Sequence, residues 1–165
     1  ENFDKAKQSL EDNPRNTVKC LFRSGNAENL GKLANTAFVR KNNGWFKNGI
    51  APDIALDESV LSRKELEIYS KYLSENGFFG PGSWYMNTEL NNEYYKRAPL
   101  QKLKKPTLFI HAKYDRVCDT CHTSLADSMR ENCSNLKEAT IESGHWMAQE
   151  KPDDVNKTIK EWLAI

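Results

Sequence analysis

No apolar run in this sequence approaches the roughly 20 residues that a membrane-spanning helix needs, and neither sign of charge dominates. Lys and Arg number 24 and Asp and Glu 23, a formal net charge of +1. So even a balance argues against nucleic acid or a membrane surface as partner. Apolar residues are scarce, at 38% of the chain, below the usual share for a globular domain. The shortfall sits in the first half, rich in Asn, Lys and Glu, and a chain this polar is expected to need a partner surface to complete its core. A signal peptide is not visible, so a cytoplasmic location is expected. The chain opens at Glu1 without a methionine, from which a processed, cleaved or excised segment is expected. Cysteine is too sparse for a disulfide framework. Of the four, Cys118 and Cys121 form a C-x-x-C followed by His122. That spacing would suit a redox pair or half a zinc site, but a second ligand pair is missing. No metal and no cofactor is therefore expected, and the cysteines read as partly buried thiols of a reducing compartment.

The 165 residues suffice for one compact domain or for parts of two. Residues 1–97 read as helices joined by polar loops. Asn13 before Pro14 reads as an N-cap with proline at the first helical position, and Val18, Leu21 and Phe22 follow as one apolar face. Loops are expected at Asn42, Asn43 and Gly44 and again from Gly49 to Pro52. Ser62 and Glu65 make a capping box, with Leu61 and Leu66 as a hydrophobic staple. Leu66, Tyr69 and Leu73 continue that helix's face, and Gly77 suits its stop. The aromatic, glycine-rich segment after it, Phe78 to Asn87, is expected to stay out of helix until about Ser83.

From about Leu100 the pattern changes. Thr107 to His111 reads as a buried strand after Pro106, Thr120 to Arg130 as a helix with Leu125 and Met129 one turn apart, and Glu138 to Ile141 as a second strand. Pro152 begins a last helix with Val155, Ile159, Trp162 and Leu163 on one face. Strand, helix, strand, helix at this length implies a parallel β-α-β unit with a closing helix.

Functional groups of parallel α/β sheets gather at the carboxyl ends of the strands. Asp115 follows the first strand and His145 the second, so adjacent parallel strands would bring the two loops side by side. An aspartate beside a histidine fixes its tautomer and stabilises its charged form, which lets the imidazole act as a base. From pattern alone, each could equally be a turn former. His111, at the end of a buried strand, reads as a satisfied core histidine, and His122 as a solvated helix residue.

Two stretches go further. Pro106 through Asp115 resembles the strand and loop that present the triad acid of α/β-hydrolases, and Gly144-His145-Trp146 through Pro152 resembles the loop that presents their histidine. Gly77-Phe78-Phe79-Gly80-Pro81 through Trp84-Tyr85-Met86-Asn87 resembles the lid motif of soluble epoxide hydrolases. The order lid tyrosine, acid, histidine agrees with that family. The resemblance implies a partial α/β-hydrolase fold: a helical lid over 1–97, then the last β-α-β-α of a parallel sheet over 98–165. It implies Asp115, His145 and Tyr85 as catalytic residues, with Trp84, Trp146 and Phe78 against a small apolar epoxide. Packing serves equally well as a reading of those three aromatics. In that family the nucleophilic aspartate and the oxyanion-hole segment lie before the lid. No residue of this chain can be assigned those roles, so the expected partner is the N-terminal half of the same hydrolase. Two other readings remain: a haloalkane dehalogenase-like hydrolase, or a non-catalytic hydrolase-like ligand-binding protein.

Overall fold

A computed structural model describes residues 3–42, 44–47, 49–98 and 102–164. Asn43 of the expected loop, Leu100 at the expected change of character and the chain ends Glu1 and Ile165 lie outside the described residues. The chain divides into two compact units: the described parts of Glu1–Leu21, Asn35–Glu58 and Ser62–Leu100 form the first, and those of Phe22–Ala34, Ser59–Leu61 and Gln101–Ile165 the second.

The first unit is helical: α1 (Phe3–Glu11), α2 (Pro14–Leu21), α3 (Arg63–Asn76), α4 (Phe79–Ser83) and α5 (Thr88–Arg97). Asn13 caps α2 as expected, its side-chain oxygen accepting from the Asn16 N–H at 2.9 Å. Val18 is buried but the helix stops at Leu21, so Phe22 belongs to the second unit. The capping box of α3 closes both ways: the Ser62 N–H donates to Glu65 at 2.7 Å, and the Glu65 N–H donates to the Ser62 hydroxyl at 3.2 Å. Leu66 is buried, with Tyr69 and Leu73 half-buried along the same face, and α2 packs on α3. Gly77 ends the helix at φ +70°, its N–H donating to the Leu73 carbonyl. Glu11 ties α1 to this corner by accepting the Phe78 N–H at 2.7 Å and an ion pair from Lys7.

Helix resumes earlier than expected, at Phe79. Pro81 falls in the first turn of α4, where backbone N–H groups have no intrahelical partner to lose, so the ring is tolerated there. A 3-10 turn, Trp84–Asn87, then leads into α5.

The second unit holds β1 (Thr107–Ala112), α6 (Asp127–Asn132), β2 (Leu136–Ile141), α7 (Met147–Glu150) and α8 (Pro152–Leu163). The strands pair in parallel, from Thr107 opposite Leu136 to Ala112 opposite Ile141, and α8 packs against both. The helix expected over Thr120 to Arg130 is shorter, because local side-chain bonds hold turns in its first half. Asp119 accepts the N–H groups of Cys121 and His122, and Thr123 accepts that of Leu125. A 3-10 turn at Ser124–Ala126 precedes α6, so Ala126 is buried and Leu125 exposed. His122 accordingly sits in a turn rather than a helix, against Asp119. On α8 the inward positions are Val155, Thr158 and Trp162, while Ile159 and Leu163 are exposed.

Candidate active site

Backbone pairing runs past the strand ends and couples the two loops that follow. The Lys113 N–H donates to the Ile141 carbonyl and the Tyr114 N–H to the Ser143 carbonyl, both at 2.9 Å. The next residue after Tyr114 is Asp115, and His145 follows two after Ser143. Parallel register therefore delivers both side chains to one end of the sheet, and His145 Nδ1 lies 3.0 Å from Asp115 Oδ2.

Asp115 is held on both oxygens. Its Oδ1 accepts the N–H groups of Val117 at 2.8 Å and Cys118 at 3.0 Å, which leaves Oδ2 for the imidazole. Burial is the largest influence on this carboxyl and pushes its pKa up. The hydrogen bond from His145 and the two backbone N–H groups together outweigh it and hold the group below the ordinary carboxylate value. A carboxylate only accepts, so Nδ1 must carry its proton, and Nε2 is the basic nitrogen of the neutral ring. The hydrogen bond to Asp115 raises the pKa of His145 above the usual 6.5, against a smaller opposing effect of burial. The Asp115 side chain is 10% exposed and that of His145 42%, so the imidazole is partly open and its partner is enclosed. Such a pair can accept a proton at Nε2 and stabilise the resulting imidazolium.

Trp146 packs its ring against the edge of His145, centroids 5.4 Å apart, and Phe22 stacks on Trp146 at 4.1 Å. Arg116 anchors the acid loop by donating to the Lys32 carbonyl at 3.0 Å and to the Leu33 carbonyl. His111 is buried, with Nδ1 at 2.9 Å from the Thr120 hydroxyl and Nε2 at 2.8 Å from Glu138, so it is the satisfied core histidine its place on the strand suggests. Burial, followed by the nearby Asp115 and Asp119 carboxylates, raises the thiol pKa values of Cys118 and Cys121. Both are then thiols at neutral pH, the opposite of an activated redox cysteine.

The structure thus brings Asp115, His145 and Trp146 together. Trp84 and Tyr85 lie in the first unit, on the 3-10 turn and largely exposed, and Phe78 is buried in that same unit. Sequence reasoning passed over Phe22 as a site residue, as well as Gly25 and Glu150. The spacing of Val18, Leu21 and Phe22 puts Phe22 on a helix face. Gly25 carries no local pattern, and Glu150 lies within the stretch that resembles the histidine loop but is set apart only by its contact with Gly144 and Gly25.

No family model matches this chain. It is 32% identical over 163 residues to the rat protein "Bifunctional epoxide hydrolase 2", an alignment covering 96% of this chain and 27% of the rat protein. To "Epoxide hydrolase A" of Mycobacterium tuberculosis it is 30% identical over 104 residues, covering 62% of this chain and 32% of that protein. The crystal structure of Epoxide Hydrolase A from Mycobacterium thermoresistibile superposes with a TM-score of 0.71 at 23% identity, over 96% of this chain and 48% of that one. The chain spans roughly a quarter to a half of the length of the curated relatives it matches. Its fold is a partial α/β-hydrolase fold.

Proposed function

We propose, for a chain that resembles part of an α/β-hydrolase of the soluble epoxide hydrolase type, that it supplies the acid, the base and the lid of an enzyme adding water to an epoxide. The observation that carries this reading is the 3.0 Å contact between His145 Nδ1 and Asp115 Oδ2 at the carboxyl ends of adjacent parallel strands. The nucleophilic aspartate comes from an N-terminal half not contained in Glu1–Ile165. Residues 1–97 serve as lid and 98–165 as the end of the core.

In this reading the nucleophile's carboxylate attacks an epoxide carbon and the carbon–oxygen bond of the ring breaks. Tyr85 donates its phenolic proton to the departing oxygen as charge develops there. The product is an alkyl-enzyme ester. His145 Nε2 then takes a proton from water, the hydroxide adds to the ester carbonyl, and the diol leaves with the nucleophile regenerated. The proton held on His145 returns to Tyr85, so epoxide plus water gives diol and no cofactor is consumed. Asp115 keeps the ring oriented and stabilises its charged form. Trp84, Trp146 and Phe78 are the proposed apolar contacts for a small epoxide. The acid–base pair beside the Phe22–Trp146 stack supports this more than it supports a binding protein.

The test is hydrolysis of styrene oxide by this chain reconstituted with its upstream half, compared with His145→Gln and Tyr85→Phe. Diol from the wild type, an ester that accumulates in the first variant, and a rate about 10²–10⁴-fold lower in the second are expected. No diol across several epoxides would sink the reading, and halide release from a chlorinated alkane would replace it with the dehalogenase.

A further inference from the structure

Gly144, the residue before His145, meets Gly25 backbone to backbone. A Cβ placed on Gly144 would lie 2.5 Å from the Gly25 nitrogen, and one on Gly25 would lie 2.4 Å from the Gly144 Cα. Neither position has room for a side chain. Two peptide N–H groups are thereby brought to one point, and a single oxygen receives both. Glu150 Oε2 accepts the Gly144 N–H at 2.8 Å and the Gly25 N–H at 3.3 Å.

Glu150 reaches this point because α7 makes one turn immediately after the histidine. The N–H groups of Gln149 and Glu150 donate to the Trp146 carbonyl, and that of Lys151 to the Met147 carbonyl. The turn carries the carboxylate back to the peptide that precedes His145. The histidine is thus closed between its own N-terminal peptide and the end of the following helical turn. A carboxylate accepting two backbone N–H groups is a strong, directional clamp, and its removal would leave two crowded donors underpaired.

We propose that Glu150 is a positioning residue for His145: by holding the Gly144 and Gly25 N–H groups on one carboxylate oxygen, it fixes the peptide that aims Nδ1 at Asp115. The inference rests on the proposed function only for calling His145 the base. Its geometry stands whatever the substrate is, and so does its test.

The raised pKa of His145 has Asp115 as its cause among charged groups, so the imidazole reports directly on whether that hydrogen bond survives. The experiment is nitrogen-15 NMR of the His145 ring in the full-length protein, titrated with pH, for the wild type, Glu150→Ala, Glu150→Asp, Glu150→Gln and Gly25→Ala. In the wild type the neutral ring is expected as the Nδ1–H tautomer, with a pKa above 6.5. Glu150→Ala, Glu150→Asp (one methylene too short) and Gly25→Ala should each lower that pKa towards the ordinary value and mix the tautomers. Glu150→Gln keeps an accepting oxygen and should restore the wild-type titration. Wild-type behaviour in both the alanine and aspartate variants of Glu150 would overturn the proposal. Should the alanine variant not fold, the aspartate variant decides by itself. A wild-type protein that hydrolyses no epoxide would defeat the functional reading while leaving this titration fully readable.

Discussion

At the scale of single residues the proposed reaction turns on the proton at His145. A base must be neutral to act, and the hydrogen bond to Asp115 raises the pH at which that is so. Ester hydrolysis by the reconstituted enzyme is therefore expected to rise with pH along a limb centred above 6.5. Asp115→Asn removes the carboxylate that raises His145 and should move the limb to lower pH. It also loses the tautomer lock, so the plateau should drop by about 10²–10⁴-fold. Pre-steady-state pH profiles of ester decay check both effects; a limb that stays in place would refute the pairing. Stability is linked to the same groups with defined signs. The folded pKa of His145 is raised, so its contribution is full below about 6.5 and fades as pH rises through the folded value. That of Asp115 is lowered, so its contribution is present above the ordinary carboxylate range and fades as pH falls through the folded value. Burial and backbone bonding give Asp115 a second role, in ordering its own loop.

At the scale of elements, α3 is held by signals local to it. The Ser62–Glu65 box satisfies backbone donors that would otherwise be orphaned at the helix start. The Glu65 carboxyl is held below its ordinary range, first by the Ser62 hydroxyl and then by the Ser62 N–H. Ser62→Ala is expected to cost about 1 kcal/mol of unfolding free energy, and Ser62→Asp to recover most of it. Urea unfolding measures the difference; equal midpoints for alanine and serine would mean the box contributes nothing. The pair β1–β2 is the opposite case. Parallel strands are ordinarily covered on both faces, yet β2 exposes Lys137, Glu138 and Thr140, and most of β1 is only half-buried. Its stability must come from surfaces that other elements supply.

For the whole molecule, that exposure has a measurable consequence. If an upstream half completes the sheet, adding it should slow hydrogen exchange in the amides of β1 and β2 by orders of magnitude, while the amides of α3 change little. Gel filtration should show the two halves eluting together. Strand amides as protected in the isolated chain as in the mixture, with a folded monomer on the column, would argue that this chain needs no such partner. Among the described residues no helix is long and apolar enough to cross a membrane.

Much of this was legible from the order of residues. Helix starts and stops depend on contacts within a turn, so Asn13, Ser62, Glu65 and Gly77 announced α2 and α3 from their neighbours alone. The strands at Thr107 and Glu138, the parallel pairing, and the loop positions of Asp115 and His145 followed from spacing and the short apolar runs. Other features had no local signature. Thr120–Thr123 turned instead of forming helix because side-chain bonds from Asp119 and Thr123 competed with the helical ladder. Phe79 began a helix despite Gly80 and Pro81 because the first turn tolerates both. Phe22 and Gly25 became part of the histidine's surroundings only when distant segments met. The chain's chemistry was thus determined by sequence wherever the relevant forces act over four or five residues, and by tertiary structure wherever they act between backbones more than a hundred residues apart, as at Gly25 and Gly144.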